Sequence, residues 1–213
     1  MRVVIAGGGT GGHLFPALAL AEEFKRRGGQ TEIIFVGSRR GLEKTVVPSH
    51  GYVLETLDVE GIKKRKGAEK IRAVFKAAAA TMRAILLLRK IRPDGVIGSG
   101  SYSSGPVVLA ARILGIKTAI LEQNAVPGLT NRILGRFADR IYIAFEGAAS
   151  YFGEGRAIVA GNPVRKDILN TRDERKTNGN GKFSIFVFGG SQGAAAVNAA
   201  FLDSTEYLTE IWG

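Results

Sequence analysis

Hydrophobic and polar positions follow two rhythms along this chain. Short β-branched and aliphatic runs at residues 3–6, 32–36, 53–59, 95–97, 118–121, 141–145 and 157–160 read as strands. Between several of them lie stretches with a helical period. Over residues 16–27, Ala17, Leu20, Ala21 and Phe24 form an i, i+3, i+4, i+7 stripe, with Pro16 in the first turn and Gly28-Gly29 just past the end. The pattern predicts two further helices, over about residues 68–91 and 106–114. Strands alternating with helices in this way predict an α/β fold built on a Rossmann-like, doubly wound parallel sheet.

The rhythm breaks at residues 166–182, which run through Asp167, Asn170, Arg172, Asp173, Glu174 and Arg175 to Asn178-Gly179-Asn180-Gly181. Such a stretch reads as an interdomain linker. Beyond it, residues 183–188 read as a buried strand and residues 194–202 as a helix, while residues 203–213 carry no recognisable pattern. One strand and one helix cannot enclose a core. The expected organisation is therefore a first domain over residues 1–165, a linker over 166–182, and the incomplete start of a second domain over 183–213.

Two glycine-rich turns follow strands in this pattern. The first is Gly7-Gly8-Gly9-Thr10-Gly11-Gly12-His13 and the second Gly189-Gly190-Ser191-Gln192-Gly193-Ala194. A turn of this kind opens a helix and aims backbone N–H groups at a phosphate. Gly7, Gly9 and Gly12 also satisfy the GxGxxG dinucleotide fingerprint, which keeps an oxidoreductase in view. The end of the second strand offers Arg39 and Arg40 where NAD binding wants an acid, a pattern that NADP would accept. His13 stands at the helix N-terminus, a position that favours the uncharged imidazole able to accept a proton.

Composition narrows the classes further. The chain has 213 residues, is 45% hydrophobic and lacks cysteine, so it can bury a core and holds neither disulfides nor thiolate metal sites. The first strand begins directly after Met1, leaving no room for a signal peptide. The longest apolar run, residues 77–88, is interrupted by Arg83 and is shorter than the ~20 residues that cross a bilayer. The net charge is +11, and residues 61–94 alone carry eleven bases against two acids. Such a block is either a solvated helix face or an attraction for an anionic partner: phospholipid, nucleic acid or a phosphorylated substrate.

Four motifs in order make a specific resemblance. They are the Gly8–Pro16 segment Gly-Gly-Thr-Gly-Gly-His-Leu-Phe-Pro, the segment Leu121-Glu122-Gln123-Asn124-Ala125-Val126-Pro127-Gly128-Leu129-Thr130-Asn131, the segment Gly161-Asn162-Pro163-Val164-Arg165, and the second glycine turn. With these the chain resembles the MurG family, bacterial transferases that move N-acetylglucosamine from UDP-GlcNAc to lipid I in peptidoglycan synthesis. The resemblance implies a GT-B fold, two Rossmann-like domains facing a cleft, with the second domain truncated here. It implies donor contacts from Thr10, Gly11, Gly12, Asn124, Arg165 and Ser191; His13 is the expected catalytic residue, as acid/base or to orient the acceptor, since no carboxylate in the sequence stands out as a better base. Acceptor-diphosphate loops are implied at Gly8, Gly9, Gly100, Ser101 and Tyr102. Ser101 stands where the family usually has glycine, and a positive φ there would cost about 1 kcal/mol.

The same resemblance gives the basic block a purpose. A helical face carrying Ile71, Val74, Phe75, Ala78, Met82 and Ile85 with Lys70, Lys76 and Arg83 nearby is similar to the family's membrane-docking surface; the stripe could equally pack on the sheet. Lys70, Ile71, Val74, Phe75 and Lys76 are the implied membrane contacts. The implied partners are UDP-GlcNAc, lipid I and an anionic membrane, not nucleic acid, on the cytoplasmic face of a bacterial plasma membrane. No metal or cofactor is implied. Because the family's donor contacts lie mostly beyond residue 213, the chain alone is expected to bind UDP-GlcNAc poorly and to turn over slowly or not at all. The other classes left open are a non-catalytic lipid-binding protein or half of a two-chain enzyme, and an NADP-dependent oxidoreductase.

Overall fold

The computed structural model describes residues 1–59, 68–170, 185–189 and 194–212, with the side chains at 68–74, 167, 170 and 208–212 outside that description. Contacts divide the chain into a unit Met1–Leu169 and a unit Asn170–Gly213. Among its described residues the first unit holds seven strands: β1 (Arg2–Ala6), β2 (Glu32–Ser38), β3 (Val53–Leu57), β4 (Gly95–Gly98), β5 (Lys117–Glu122), β6 (Arg140–Ile143) and β7 (Ala157–Val159). They form one sheet in the order β3-β2-β1-β4-β5-β6-β7, and every neighbouring pair is parallel.

Between the strands run α1 (Gly11–Arg27), α2 (Glu43–Ser49), α3 (Ala68–Ile91), α4 (Ser101–Ile113) and α5 (Leu129–Leu134), with a 3-10 helix at Glu146–Tyr151 and α6 (Lys166–Asn170) after β7. Successive residues of a strand face opposite sides, which explains why the runs are apolar throughout. Val3 and Ile5 pack with Leu14, Leu18 and Val47 on the side of α1 and α2. Val4 and Ala6 pack with Ala84, Leu88, Val107 and Val108 on the side of α3 and α4. The winding reverses between β1 and β4, and a sheet of this order opens a crevice at the carboxyl ends of those two strands.

Several boundaries differ from the pattern reading. Helix α1 begins at Gly11 and α4 at Ser101, so Pro16 and Pro106 lie inside their helices rather than at the start. The glycine loops feed the helices directly. The α1 side chains in the core are Leu14, Ala17, Leu18 and Ala21, a stripe that starts one turn earlier than the predicted one and leaves Leu20 half-buried. Residues 166–170 are helical where a linker is predicted. In the second unit residues 185–188 are not a strand, and α7 (Ala195–Trp212) continues through the stretch that showed no pattern.

Candidate active site at the carboxyl ends of β1 and β4

Two loops leave the adjacent strands β1 and β4 and touch each other. Ser99 N–H donates to the Ala6 carbonyl at 2.8 Å, and the Ser99 hydroxyl fills the space beside Gly7, where an added Cβ would stand 2.0 Å from Ser99 Oγ. Each loop then opens a helix whose N-cap, Thr10 for α1 and Gly100 for α4, makes no side-chain cap hydrogen bond. First-turn N–H groups have no intrahelical acceptor, so both helix starts present donors at the crevice. Ser99 is fully buried, and its Oγ has no hydrogen-bond partner among the described residues.

His13 sits in the first turn of α1 and reaches across to the second loop. Its Nδ1 lies 2.9 Å from Gln123 Oε1, and Gln123 Nε2 donates to the Ser99 carbonyl at 3.0 Å. The ring is pressed so closely on Gly100 that a Cβ there would stand 2.7 Å from Nδ1. Gly100 also has φ +98°, a backbone that L side chains rarely adopt. Ser101, next in the chain, has φ +66°, the strain its departure from glycine threatened. Its hydroxyl lies 2.8 Å from Ser103 Oγ, and its carbonyl accepts from Ser104 Oγ at 3.0 Å. Tyr102 is exposed in the first turn of α4.

Two buried carboxylates hold this scaffold, and pattern reading missed both. Glu43, wholly buried, accepts from Gly9 N–H at 2.7 Å and from Ser38 N–H and Oγ at 2.8 and 2.7 Å. Added Cβ atoms at Gly8 and Gly41 would stand 2.4 and 1.9 Å from its carboxyl group, so these two residues are glycine because the carboxylate occupies the space. Glu122, at the end of β5, accepts from Asn124 N–H and Nδ2 at 2.9 Å each, Gly128 N–H at 3.1 Å and Asn131 Nδ2 at 2.9 Å. It fixes the loop that carries Gln123. The available signal was position alone: a lone acid after a strand end or glycine turn, with no spacing rule to single it out.

The remaining sequence-predicted residues fall as follows. Gly8 is buried and Gly9 spends its N–H on Glu43, whereas Thr10 and Gly12 are exposed beside buried Gly11. Asn124 is exposed, with its amide N–H₂ bound to Glu122. The Arg165 guanidinium lies over the Phe15 ring, 4.9 Å from its centroid, which brings the segment before α6 to the first turns of α1. Ser191 lies outside the described residues, as do residues 63–66.

On α3, Phe75, Met82 and Leu86 are exposed with Arg83, Arg89 and Lys90, while Ile85 is buried in the core. The predicted docking stripe is therefore corrected: Ile85 belongs to the sheet-facing side, with Ala84 and Leu88. Lys76 is half-buried, and the side chains of Lys70, Ile71 and Val74 lie outside the description. No described helix is long and apolar enough to cross a membrane, and no cluster of metal-ligating side chains occurs among the described residues.

The strand order is also that of dinucleotide-binding sheets, so topology alone does not separate a transferase from a dehydrogenase. Glu43 already accepts the Gly9 N–H, so that amide has no donor left for any diphosphate at that point of the first loop, the acceptor diphosphate expected at Gly9 included. What decides the matter is the match of residues 3–143 to the glycosyltransferase family 28 N-terminal domain. The chain belongs to that family.

Within family 28, the chain is 49% identical over 213 residues to a UDP-N-acetylglucosamine–N-acetylmuramyl-(pentapeptide) pyrophosphoryl-undecaprenol N-acetylglucosamine transferase of Syntrophus aciditrophicus, covering 100% of this chain and 59% of the relative. The crystal structure of Acinetobacter baumannii MurG superposes with TM-score 0.65 at 34% identity, over 77% of this chain and 46% of that one. A UDP-GlcNAc 2-epimerase of Neisseria meningitidis, 14% identical with TM-score 0.59 over 84% of this chain and 50% of that one, shares the fold. The GT-B assignment thus stands, and this family 28 chain spans between half and two thirds of the curated relatives it matches.

Proposed function

We propose that this chain supplies the acceptor half of an inverting transferase that moves N-acetylglucosamine from UDP-GlcNAc to lipid I, giving lipid II. The observation that carries the reading is convergence. The loops at 7–13, 98–102 and 122–131 and the segment ending at Arg165 meet at the carboxyl ends of the central strands, through the Gly7/Ser99, Gly100/His13, His13/Gln123 and Phe15/Arg165 contacts. In this reading the C4 hydroxyl of the N-acetylmuramoyl unit attacks the anomeric carbon of the donor. The new O4–C1 bond forms as the bond from C1 to the diphosphate oxygen breaks, UDP leaves with the bonding pair, and the hydroxyl proton passes to His13.

Each remaining group has a part in the same reading. The first-turn amides of α1, at Gly11 and Gly12, and of α4, at Ser101 and Tyr102, face the two diphosphates. Arg165 offsets charge growing on the leaving group. Thr10 and Asn124 complete the donor contacts of the first unit, Asn124 through its Oδ1. The exposed α3 face of Phe75, Met82 and Leu86 with Arg83, Arg89 and Lys90 rests on anionic lipid at the cytoplasmic surface, each cation contributing about 1 kcal/mol. Residues 1–165 form the acceptor and membrane domain, and residues 183–213 belong to the donor domain.

The test is a transfer assay with UDP-GlcNAc and a short-chain lipid I analogue. The chain alone is expected to turn over slowly or not at all, so it is also assayed in place of the matching segment of the Syntrophus aciditrophicus relative. In that setting disaccharide forms, and His13→Ala abolishes it. An undiminished rate in His13→Ala overturns the role of His13, and NADPH-dependent turnover overturns the class.

A further inference from the structure

The His13–Gln123–Ser99 chain has a direction. The Ser99 carbonyl can only accept, so the Gln123 amide must turn its N–H₂ toward it, at 3.0 Å. That orientation leaves Gln123 Oε1, an acceptor, facing His13 Nδ1 at 2.9 Å, and a hydrogen bond forms there only if Nδ1 carries the proton. We infer that Gln123 is a positioning residue that holds neutral His13 as its Nδ1–H tautomer and leaves the basic lone pair on Nε2. The inference deepens the proposed role of His13, because Nε2 is then the nitrogen that takes the acceptor's proton.

Two features keep the relay from turning over. Gln123 follows Glu122, whose carboxylate binds Asn124, Gly128 and Asn131, so the backbone on either side of the amide is anchored. On its other side the imidazole rests on Gly100, where a Cβ would stand 2.7 Å from Nδ1 and 2.8 Å from Cε1. A ring flip would set a carbon against Gln123 Oε1 in place of the N–H, and an amide flip would set two donors or two acceptors face to face at both ends.

The sequence makes this directly measurable, because the chain has only two histidines. His50 is exposed, its own Nδ1 lies 2.9 Å from the Val46 carbonyl, and His50→Gln leaves one imidazole in the spectrum. Long-range ¹⁵N–¹H correlation at about pH 9, well above the ordinary histidine value of ~6.5, distinguishes a protonated Nδ1 from a protonated Nε2. The expected result is a protonated Nδ1 at His13, lost in Gln123→Leu and retained in Gln123→Glu, whose carboxylate still accepts. Backbone amide spectra of both variants report whether the fold survives. A protonated Nε2 in the His50→Gln protein, or a protonated Nδ1 that persists in folded Gln123→Leu, overturns the inference. Should Gln123→Leu not fold, the His50→Gln spectrum and Gln123→Glu decide alone. Transfer that persists undiminished in His13→Ala would instead remove the proposed catalysis and leave the tautomer standing.

Discussion

The Glu43 carboxylate accepts the Gly9 N–H at 2.7 Å, tying a helix that follows β2 to the glycine loop that follows β1. The contact is buried and charged, and it also serves both Ser38 donors. Replacing Glu43 by Gln puts an amide N–H₂ against a donor on at least one side, in a space already closed by Gly8 and Gly41. Glu43→Gln is expected to lower stability by about 2 kcal/mol, read as a shift of the urea midpoint. An unchanged midpoint would mean that the loop does not depend on this carboxylate.

Ser101 sits at φ +66° at the first position of α4. Glycine relieves that strain at a cost of the contact between the Ser101 and Ser103 hydroxyls. Ser101→Gly is expected to stabilise the chain by up to about 1 kcal/mol, whereas Ser101→Val, with a branched β-carbon at the same φ, destabilises it. Equilibrium unfolding of the pair checks the sign. A Gly variant clearly less stable than wild type would show that the hydroxyl contacts outweigh the backbone strain.

Asp139 gives a pH dependence with a definite sign. Its carboxylate accepts Thr118 N–H at 2.8 Å and Thr118 Oγ1 at 3.0 Å, and the backbone bond above all holds its pKa below the ordinary 3.8. A lowered carboxylate pKa contributes stability that is complete above the unfolded value and is lost as pH falls through the folded one. The stability difference between wild type and Asp139→Asn is therefore expected to be constant from pH 7 down to about 4 and to shrink below it. Denaturation of both proteins across that range reads it, and a difference that grows on acidification would contradict the assignment.

The exposed face of α3 predicts a vesicle-binding phenotype. Phe75→Ser and Leu86→Ser remove apolar surface that faces outward, so they are expected to weaken co-sedimentation with anionic vesicles while leaving the unfolding midpoint near wild type. Ile85→Ser opens the core instead and destabilises the chain by about 2 to 4 kcal/mol. Equal vesicle binding by Phe75→Ser, Leu86→Ser and wild type would leave this face without a membrane role.

Much of the first unit was legible because its strands are buried on both faces and so read as uninterrupted apolar runs, as at Val3–Ala6 or Ile33–Val36. Short helices such as α2 escaped, since seven residues give no clear period and Pro48 reads as a break. Register on α3 was misjudged at Ile85 because residues 84–88 are apolar almost all round, and only the sheet decides which side is buried. Motif order singled out His13, Gly100 and Arg165, whose contacts lie with these loops. Glu43 and Glu122 were not, because a buried acid satisfied by backbone amides from distant loops leaves no trace in local spacing.

If the crevice where β1 and β4 end receives the lipid-linked acceptor, titration with a short-chain lipid I analogue must move the amide chemical shifts of its loops. Saturable shifts are expected at residues 7–13, 98–102 and 122–131, absent when NADPH is added in place of the analogue. Shifts at those loops with NADPH and none with the analogue would contradict acceptor binding there.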